Sequence, residues 1–250
     1  MKKILFIIPA RSGSKRIINK NIKKLDKDES LIEIKINNCI KSNLGDVIVS
    51  TDSKKIANIA KKNGAKVPYL RSKKLSSPTA TMMSCVVDVI NYLNKNDIII
   101  PKYIAIMPPT YPFTKPESIR RAFSKLKKMN KFNSICSFSK SIEHPFSYVD
   151  VLKDKVNFDH IKYKGHVLSE FERTQDYPPS HVLSGSIRIS KTSFFKKFLK
   201  NKSPLIKNYV IDMNSCIGFK LSKREAYDIN DPDDFEIAKF LSKNKNFLTK

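Results

Sequence analysis

Shortly after an apolar run at 4–8 the chain places Arg11, Gly13, Ser14, Lys15, Arg16 and Lys20. Four cations, a hydroxyl and a glycine in so short a span suit the capture of a phosphate. Backbone N–H groups line such an anion while Lys and Arg neutralise it. A second polar pair stands near the other end, where Asp228 and Asn230 alternate about Ile229 and would share one face of an extended segment. Two nucleotide signatures are missing: there is no G-x-x-x-x-G-K-[ST], and no G-x-G-x-x-G follows the first apolar run. A nucleotide held here is held in another way. Cys39, Cys85, Cys136 and Cys216 are scattered singly. His144, His160, His166 and His181 lack the spacing of a zinc site, so the cysteines read as core thiols of a reducing compartment.

The elements that must position these groups are those of an alternating α/β chain. Residues 4–8 have the length and β-branching of a buried parallel strand, which Pro9 stops. Ser30 and Glu33 form a capping box ahead of a helix carrying Leu31, Ile32, Ile34, Ile36 and Ile40, with Asn43 and Gly45 at its end. Residues 46–52 predict a second strand, and Asp52 or Ser53 caps a helix closed by Gly64. Residues 66–70 predict a short third strand. Thr81 caps a helix through Val86, Val87, Ile90 and Leu93, and 102–107 is a further central strand. Thr114 and Glu117 read as another capping box, with Pro116 early in a helix to about Lys128. Residues 133–139 lead out of the sheet. A helix over 191–201 and strands near 208–211 and 217–221 return to it. Asp231 and Pro232 then open a last helix with Phe235, Ile237, Ala238 and Leu241 on its apolar face. This alternation predicts a mostly parallel sheet with right-handed crossovers. Between 139 and 184 the pattern changes to strand-like pieces at 146–152 and 155–158, aromatics and all four histidines. That region reads as a lobe inserted in one domain over 1–250.

The length of 250 residues, with 40% hydrophobic and 28% charged content, fits one soluble globular domain. No apolar run approaches the ~20 residues that cross a bilayer. The opening lysines and apolar run lack a small-residue cleavage site, so a cytoplasmic protein with no membrane partner is expected. The net charge of +25 raises nucleic acid as a partner. The lysines, however, are spread along the whole chain between Asn and Ile and form no single patch. Small anionic substrates are the better match, and no nucleic-acid partner is expected.

The segment PARSGSKRIINKNI at 9–22 resembles the P-A-R-x-G-S-K-R-(I/L)-x-x-K-N-(I/L) signature of the acylneuraminate cytidylyltransferases. These are the CMP-sialic acid synthetases, with their pseudaminic and legionaminic relatives. The likeness continues at VPYLRSKKLS (67–76), PPTYPF (108–113), FERTQDYP (171–178), SGSIRI (184–189) and AYDIND (226–231). It implies a nucleotide-diphosphosugar-transferase-like, Rossmann-like sheet flanked by helices, with 139–184 forming a homodimer contact and one wall of the sugar pocket. It also implies transfer of CMP from CTP to a nine-carbon sugar acid, with release of pyrophosphate.

Carried over position by position, the resemblance gives nucleotide contacts to Ala10, Arg11, Gly13, Ser14, Lys15, Asn21, Arg71, Thr79 and Thr81. Arg11, Lys15 and Asp228 become the catalytic groups. Arg173, Gln175 and Ser184 become sugar contacts, with the Arg173 fork on the acid's carboxylate. Asp228 and Asn230 would hold Mg²⁺ or another divalent cation. The chain departs from the family pattern at several of these places. Pro78 replaces an Asp, Pro108 a Gln, Thr174 a second Arg, Ser184 an Asn, Arg188 a Tyr, and Asn230 an Asp. Two alternatives stand beside this reading, the second motivated by these departures. One is a cytidylyltransferase for another acid such as the eight-carbon 3-deoxy-octulosonate, although that family's loop resembles S-x-R-(L/F)-P-G-K. The other is a diverged CTP-binding homologue with little turnover.

Overall fold

In the computed structural model, which describes residues 3–25, 29–152, 155–157, 161–199 and 209–247, the first apolar run is β1 (Ile4–Pro9). Ile4 to Ile8 are all buried because the strand is central and covered on both faces. The chain continues through α1 (Leu31–Lys41), β2 (Gly45–Ser50), α2 (Lys54–Lys62), α3 (Met82–Lys95), β3 (Tyr103–Ile106), α4 (Pro116–Lys128) and β4 (Ser134–Lys140). After the small hairpin of β5 (Asp150–Leu152) and β6 (Lys155–Asn157) come β7 (His181–Lys191), α5 (Thr192–Lys196), β8 (Cys216–Lys220) and α6 (Pro232–Lys243). Six strands form one sheet in the order β2-β1-β3-β7-β4-β8. Its pairings are parallel except those of β7, which runs antiparallel to both β3 and β4. No helix among the described residues is long and apolar enough to cross a membrane.

The two-residue period of β1 divides the core. Ile4, Phe6 and Ile8 pack with Ile32 and Ile36 of α1, Ile56 and Ala60 of α2, and Ile119 and Leu126 of α4. Leu5 and Ile7 pack on the opposite face with Val86, Ile90 and Leu93 of α3 and Phe194 and Phe195 of α5. A third cluster joins Ile17, Leu25 and Leu31 to Ile229, Phe235 and Ala238. It fastens the basic loop after β1 to the segment that leads into α6. The caps follow expectation at four helices, among them α3, where Thr81 Oγ1 accepts from the Ser84 N–H at 3.1 Å. Ser30 and Glu33 box α1, Ser53 accepts from the Ile56 N–H at 3.3 Å, and Asp231 boxes α6 with Asp234.

Several elements differ from the sequence reading. Residues 66–70 form no strand; Lys66 alone bridges Ile48, and Pro68 has no N–H with which to extend a ladder. Thr114 is not a cap, since α4 begins after Lys115 and the Thr114 hydroxyl is buried in a tertiary hydrogen-bond cluster. The helix after β7 ends at Lys196 as α5, and 209–211 make no strand, while 208 lies outside the described residues. Pro145–Ser147 is a 3₁₀ turn, so the strand expected from 146 starts only at Asp150; residue 158 and His160 lie outside the described residues. Asp228 and Asn230 flank the buried Ile229 without belonging to a strand.

One irregularity in the sheet shapes the site. Consecutive residues Cys136 and Ser137 of β4 face Arg188 and Ser184 of β7, so Gly185, Ser186 and Ile187 leave the ladder as a bulge. The Ser137 hydroxyl fills the gap. It accepts from the Ile187 N–H at 3.0 Å and lies 3.1 Å from the Ser184 carbonyl. Bulges of this kind re-aim side chains beside functional sites.

Candidate active site

A cavity of about 610 Å³ opens where β1 and β3 end. The loop after β1 supplies Arg11, Ser14, Lys15, Arg16, Lys20 and Asn21; Arg71, the 77–82 turn, Cys85 and Pro108 to Thr110 complete the wall. Five of these lining residues are cationic and none is an Asp or Glu. Such a cavity attracts an anion through its whole lining rather than through one pair.

The loop is braced from several sides. The Ser12 N–H and hydroxyl donate to the Asp52 carboxylate at 2.8 and 2.7 Å, tying the loop to the end of β2. Asn21 Nδ2 donates to the Arg11 carbonyl at 3.0 Å, and Arg11 Nη1 donates to the Ser77 carbonyl at 2.7 Å. Arg11 therefore links the basic loop to the turn across the cavity. Lys20 Nζ donates to the Ile229 carbonyl at 2.8 Å. Burial pulls the Lys20 ammonium below its ordinary pKa, with neighbouring Asp228 opposing that shift. Arg71 is buried, and among the described residues its Nε and Nη1 meet only Ser76 Oγ and Cys85 Sγ, at 3.1 and 2.8 Å. Neutral partners do not compensate a buried guanidinium as an anion would.

On the 108–114 turn, the Tyr111 hydroxyl lies beside Asp228, and its pKa is pushed up to about 12 by burial and then by that carboxylate. Asp228 Oδ1 is itself buried without a hydrogen-bond partner. Beneath the turn lies Lys35, fully buried on α1, whose Nζ donates to the Tyr111 carbonyl and to Thr114 Oγ1, each at 2.7 Å. Thr114 Oγ1 in turn lies 2.7 Å from Ser186 Oγ on the β7 bulge. One ammonium thus couples the turn that carries Tyr111 to the strand that carries Arg188.

Burial lowers the Lys35 pKa from 10.5 to about 8, against the opposing pull of Cys39 and Glu225. Below that value both folded and unfolded chains hold the proton, and the folded state bears the cost of a buried charge. Between about 8 and 10.5 the unfolded chain binds more protons, so this residue's contribution to stability rises with pH. Denaturant unfolding of wild type and Lys35→Met at pH 7 and pH 10 tests this. The stability difference is expected to move in favour of wild type at the higher pH. A difference independent of pH would remove Lys35 as its source.

Of the nucleotide contacts expected from sequence, Arg11, Ser14, Lys15, Asn21, Arg71 and Thr81 come together in the cavity lining. Ala10 is buried, and a Cβ on Gly13 would meet nothing within 4 Å. The Thr79 hydroxyl lies 3.1 Å from that of Ser77, outside the lining. Asp228 and Asn230 do not line the cavity; Asp228 stands near Tyr111 and Lys20, and the Asn230 N–H donates to Asp234 Oδ2 at 2.8 Å. The expected sugar contacts are dispersed. Arg173 and Gln175 sit on an exposed turn, where Arg173 forks onto Asp176 at 2.8 and 3.1 Å. Ser184 is buried, and its hydroxyl accepts from the Ser186 N–H at 3.2 Å. Sequence reasoning passed over Tyr111 and Lys35. The signal for Lys35 was available: a lysine interrupts the apolar face of Leu31, Ile32 and Ile36.

Among the described residues no group of three or more His, Cys, Asp or Glu could hold a metal ion. A site made wholly of protein ligands is thus not formed by those residues. The orphaned Asp228 Oδ1 matches instead the single carboxylate with which Mg²⁺ commonly joins substrate phosphates.

Comparison with known proteins places this geometry among its relatives. The chain is 31% identical over 232 residues to the CMP-N,N'-diacetyllegionaminic acid synthase of Legionella pneumophila, covering 89% of this chain and 95% of that protein. It is 30% identical to the pseudaminic acid cytidylyltransferase of Campylobacter jejuni, covering 96% of this chain and 97% of the relative. In structure it is similar to a CMP:2-keto-3-deoxy-manno-octonic acid synthetase complexed with CTP. The TM-score is 0.68 at 14% identity, over 98% of this chain and 100% of the other, a likeness of fold. The cytidylyltransferase family model matches residues 5–219, from the first strand through the basic loop, the bulged strand and on to β8. With its loop, turn and bulge all inside that match, the chain belongs to the cytidylyltransferase family.

Proposed function

We propose that this enzyme transfers CMP from CTP to a nonulosonic, sialic-acid-like sugar acid and releases pyrophosphate. The observation that carries the reading is the cavity with five lining cations and no lining carboxylate, set where the strands of an α/β sheet end. The relatives that cover nearly the full chain are named for activating acids of this class, which supports the same reading.

In this reading Arg11 and Lys15 hold the triphosphate and stabilise charge on the departing pyrophosphate. Arg71, Asn21 and Thr81 contact the nucleoside, alongside Ala10, Gly13, Ser14 and Thr79. The anomeric hydroxyl of the acid attacks the α-phosphorus in line; its O–P bond forms as the bond to the β-phosphate oxygen breaks, and the hydroxyl proton is released. The protein contributes position and charge rather than covalent chemistry. Asp228 would hold Mg²⁺ with help from the neutral oxygen of Asn230, and the bound cation would supply Lewis acidity to the phosphates. We also propose a cytoplasmic homodimer joined through the 139–184 lobe; sedimentation of the purified protein reads its mass.

The test is pyrophosphate release from CTP and Mg²⁺ with N-acetylneuraminic, legionaminic, pseudaminic and 3-deoxy-octulosonic acids in parallel. Turnover with a nine-carbon acid is expected. Turnover with the eight-carbon acid alone would transfer the assignment to that substrate. Silence with every acid, while CTP still raises the melting temperature, would leave a CTP-binding homologue in place of an enzyme.

A further inference from the structure

Arg188 is the residue whose surroundings ask most for a ligand. It stands on β7 at the inner end of the bulge, half-buried, and forms no salt bridge among the described residues. Its guanidinium donates from Nη1 to Met82 Sδ at 3.4 Å, and a thioether is a weak acceptor. The residue opposite it across the ladder is Cys136, a thiol beside Cys216. A cation drawn partly out of water with such partners costs free energy until an anion meets it.

Its position says which anion. Met82 lines the cationic cavity, so one edge of the guanidinium abuts the cavity wall. A Cβ on Gly185 would lie 2.6 Å from Arg188 Nη2 and 2.7 Å from the Tyr111 hydroxyl, so the missing side chain lets both groups close over the bulge. Tyr111 in turn stands close enough to Asp228 to feel its charge. Arg188, Tyr111 and Asp228 therefore form a contiguous arc beside the cavity. In a 2-keto sugar acid the carboxylate is bonded to the same carbon as the attacking anomeric hydroxyl. Its receptor must then lie within a few ångströms of the reacting oxygen. The Arg173 fork is already closed onto Asp176, and its side chain is 65% exposed.

Resting on the function proposed above, we infer that Arg188 receives the carboxylate of the sugar acid, the task the sequence suggested for Arg173. Its planar fork gives a carboxylate two parallel hydrogen bonds that the tyrosine typical of the family at this position cannot offer. The acid is recognised at the reaction centre, by a residue inside the sheet rather than on the lobe.

The test compares wild type, Arg188→Gln, Arg188→Lys and Arg173→Gln, each with the preferred acid and with its methyl ester. Arg188→Gln is expected to raise KM for the acid roughly 10- to 100-fold, the range commanded by a charge-assisted hydrogen bond, with KM for CTP and the melting temperature little changed. Arg188→Lys should fall between, and Arg173→Gln should behave nearly as wild type. Esterification should penalise wild type heavily and Arg188→Gln only slightly, since residue and carboxylate are then one interaction. Wild-type turnover with an unchanged KM for the acid in Arg188→Gln, or a large effect of Arg173→Gln alone, would overturn the inference and spare the parent reading. Wild type turning over no acid at all would overturn both.

Discussion

Lys15→Ala is expected to lower kcat/KM for CMP transfer by about 10²- to 10³-fold, the cost of removing one preorganised charge from a developing anion. The melting temperature should hardly move. Lys15 lines the cavity, is exposed, and its side chain has no hydrogen bond or ion pair among the described residues. Nothing in the fold leans on it. This separates it from Arg11, whose bond to the Ser77 carbonyl braces the cavity wall, so that Arg11→Ala would mix a lost charge with a displaced turn. Steady-state kinetics with CTP and the preferred acid, beside a thermal melt, decide the matter. A loss below about threefold, or one matched by a fall in stability, would take Lys15 out of the chemistry.

The largest effect on stability is expected at Gly45. A Cβ there would sit 1.7 Å from the Ile4 carbonyl oxygen and 2.8 Å from its carbon, both backbone atoms of the neighbouring strand. Gly45 begins β2 in register with Ile4, and Leu44 accepts from the Lys3 and Ile4 N–H groups at 2.9 and 3.1 Å. The approach cannot relax by rotating a side chain. β2 lies at the edge of the sheet, so Gly45→Ala pushes it off its one neighbouring strand and is expected to cost about 3–5 kcal/mol. Gly13→Ala is the control, because a Cβ there meets nothing within 4 Å. Equal denaturation midpoints for the two variants would contradict the argument.

The parts of this protein legible in its sequence are those set by neighbours along the chain. The run at 4–8, the Ser30–Glu33 box and the Asp231–Pro232 start of α6 each announce themselves within a few residues, and the structure keeps them. The basic loop was legible for the same reason, since its cations are packed into one short span. What escaped was set across the chain. Thr114 has the spacing of a cap, yet its hydroxyl answers Lys35 and Ser186, which lie 79 and 72 residues away. Residues 66–70 have the composition of a strand, but Tyr69 stacks on Tyr92 of α3 instead of joining a ladder. Arg173 is the exception: its partner Asp176 stands only three residues on, yet the pairing was not read from the sequence. Six of the residues the motif match assigned to the nucleotide line one cavity, a convergence their separation along the chain does not announce. The match dispersed the sugar residues because their part of the pattern had changed.

The slack in β7 has a consequence for how such an enzyme can diversify. On one side of Gly185 to Ile187 the strand is held by β4, and on the other by β3 and β4 together, so both ladders keep their register whatever joins them. The three residues between behave as a spacer embedded in a sheet. Gaining or losing one there could leave the paired residues on either side in place while moving Gly185 and Ser186, which abut Tyr111, Arg188 and Thr114. Chain length, as well as residue type, could then alter how Arg188 and Tyr111 are held.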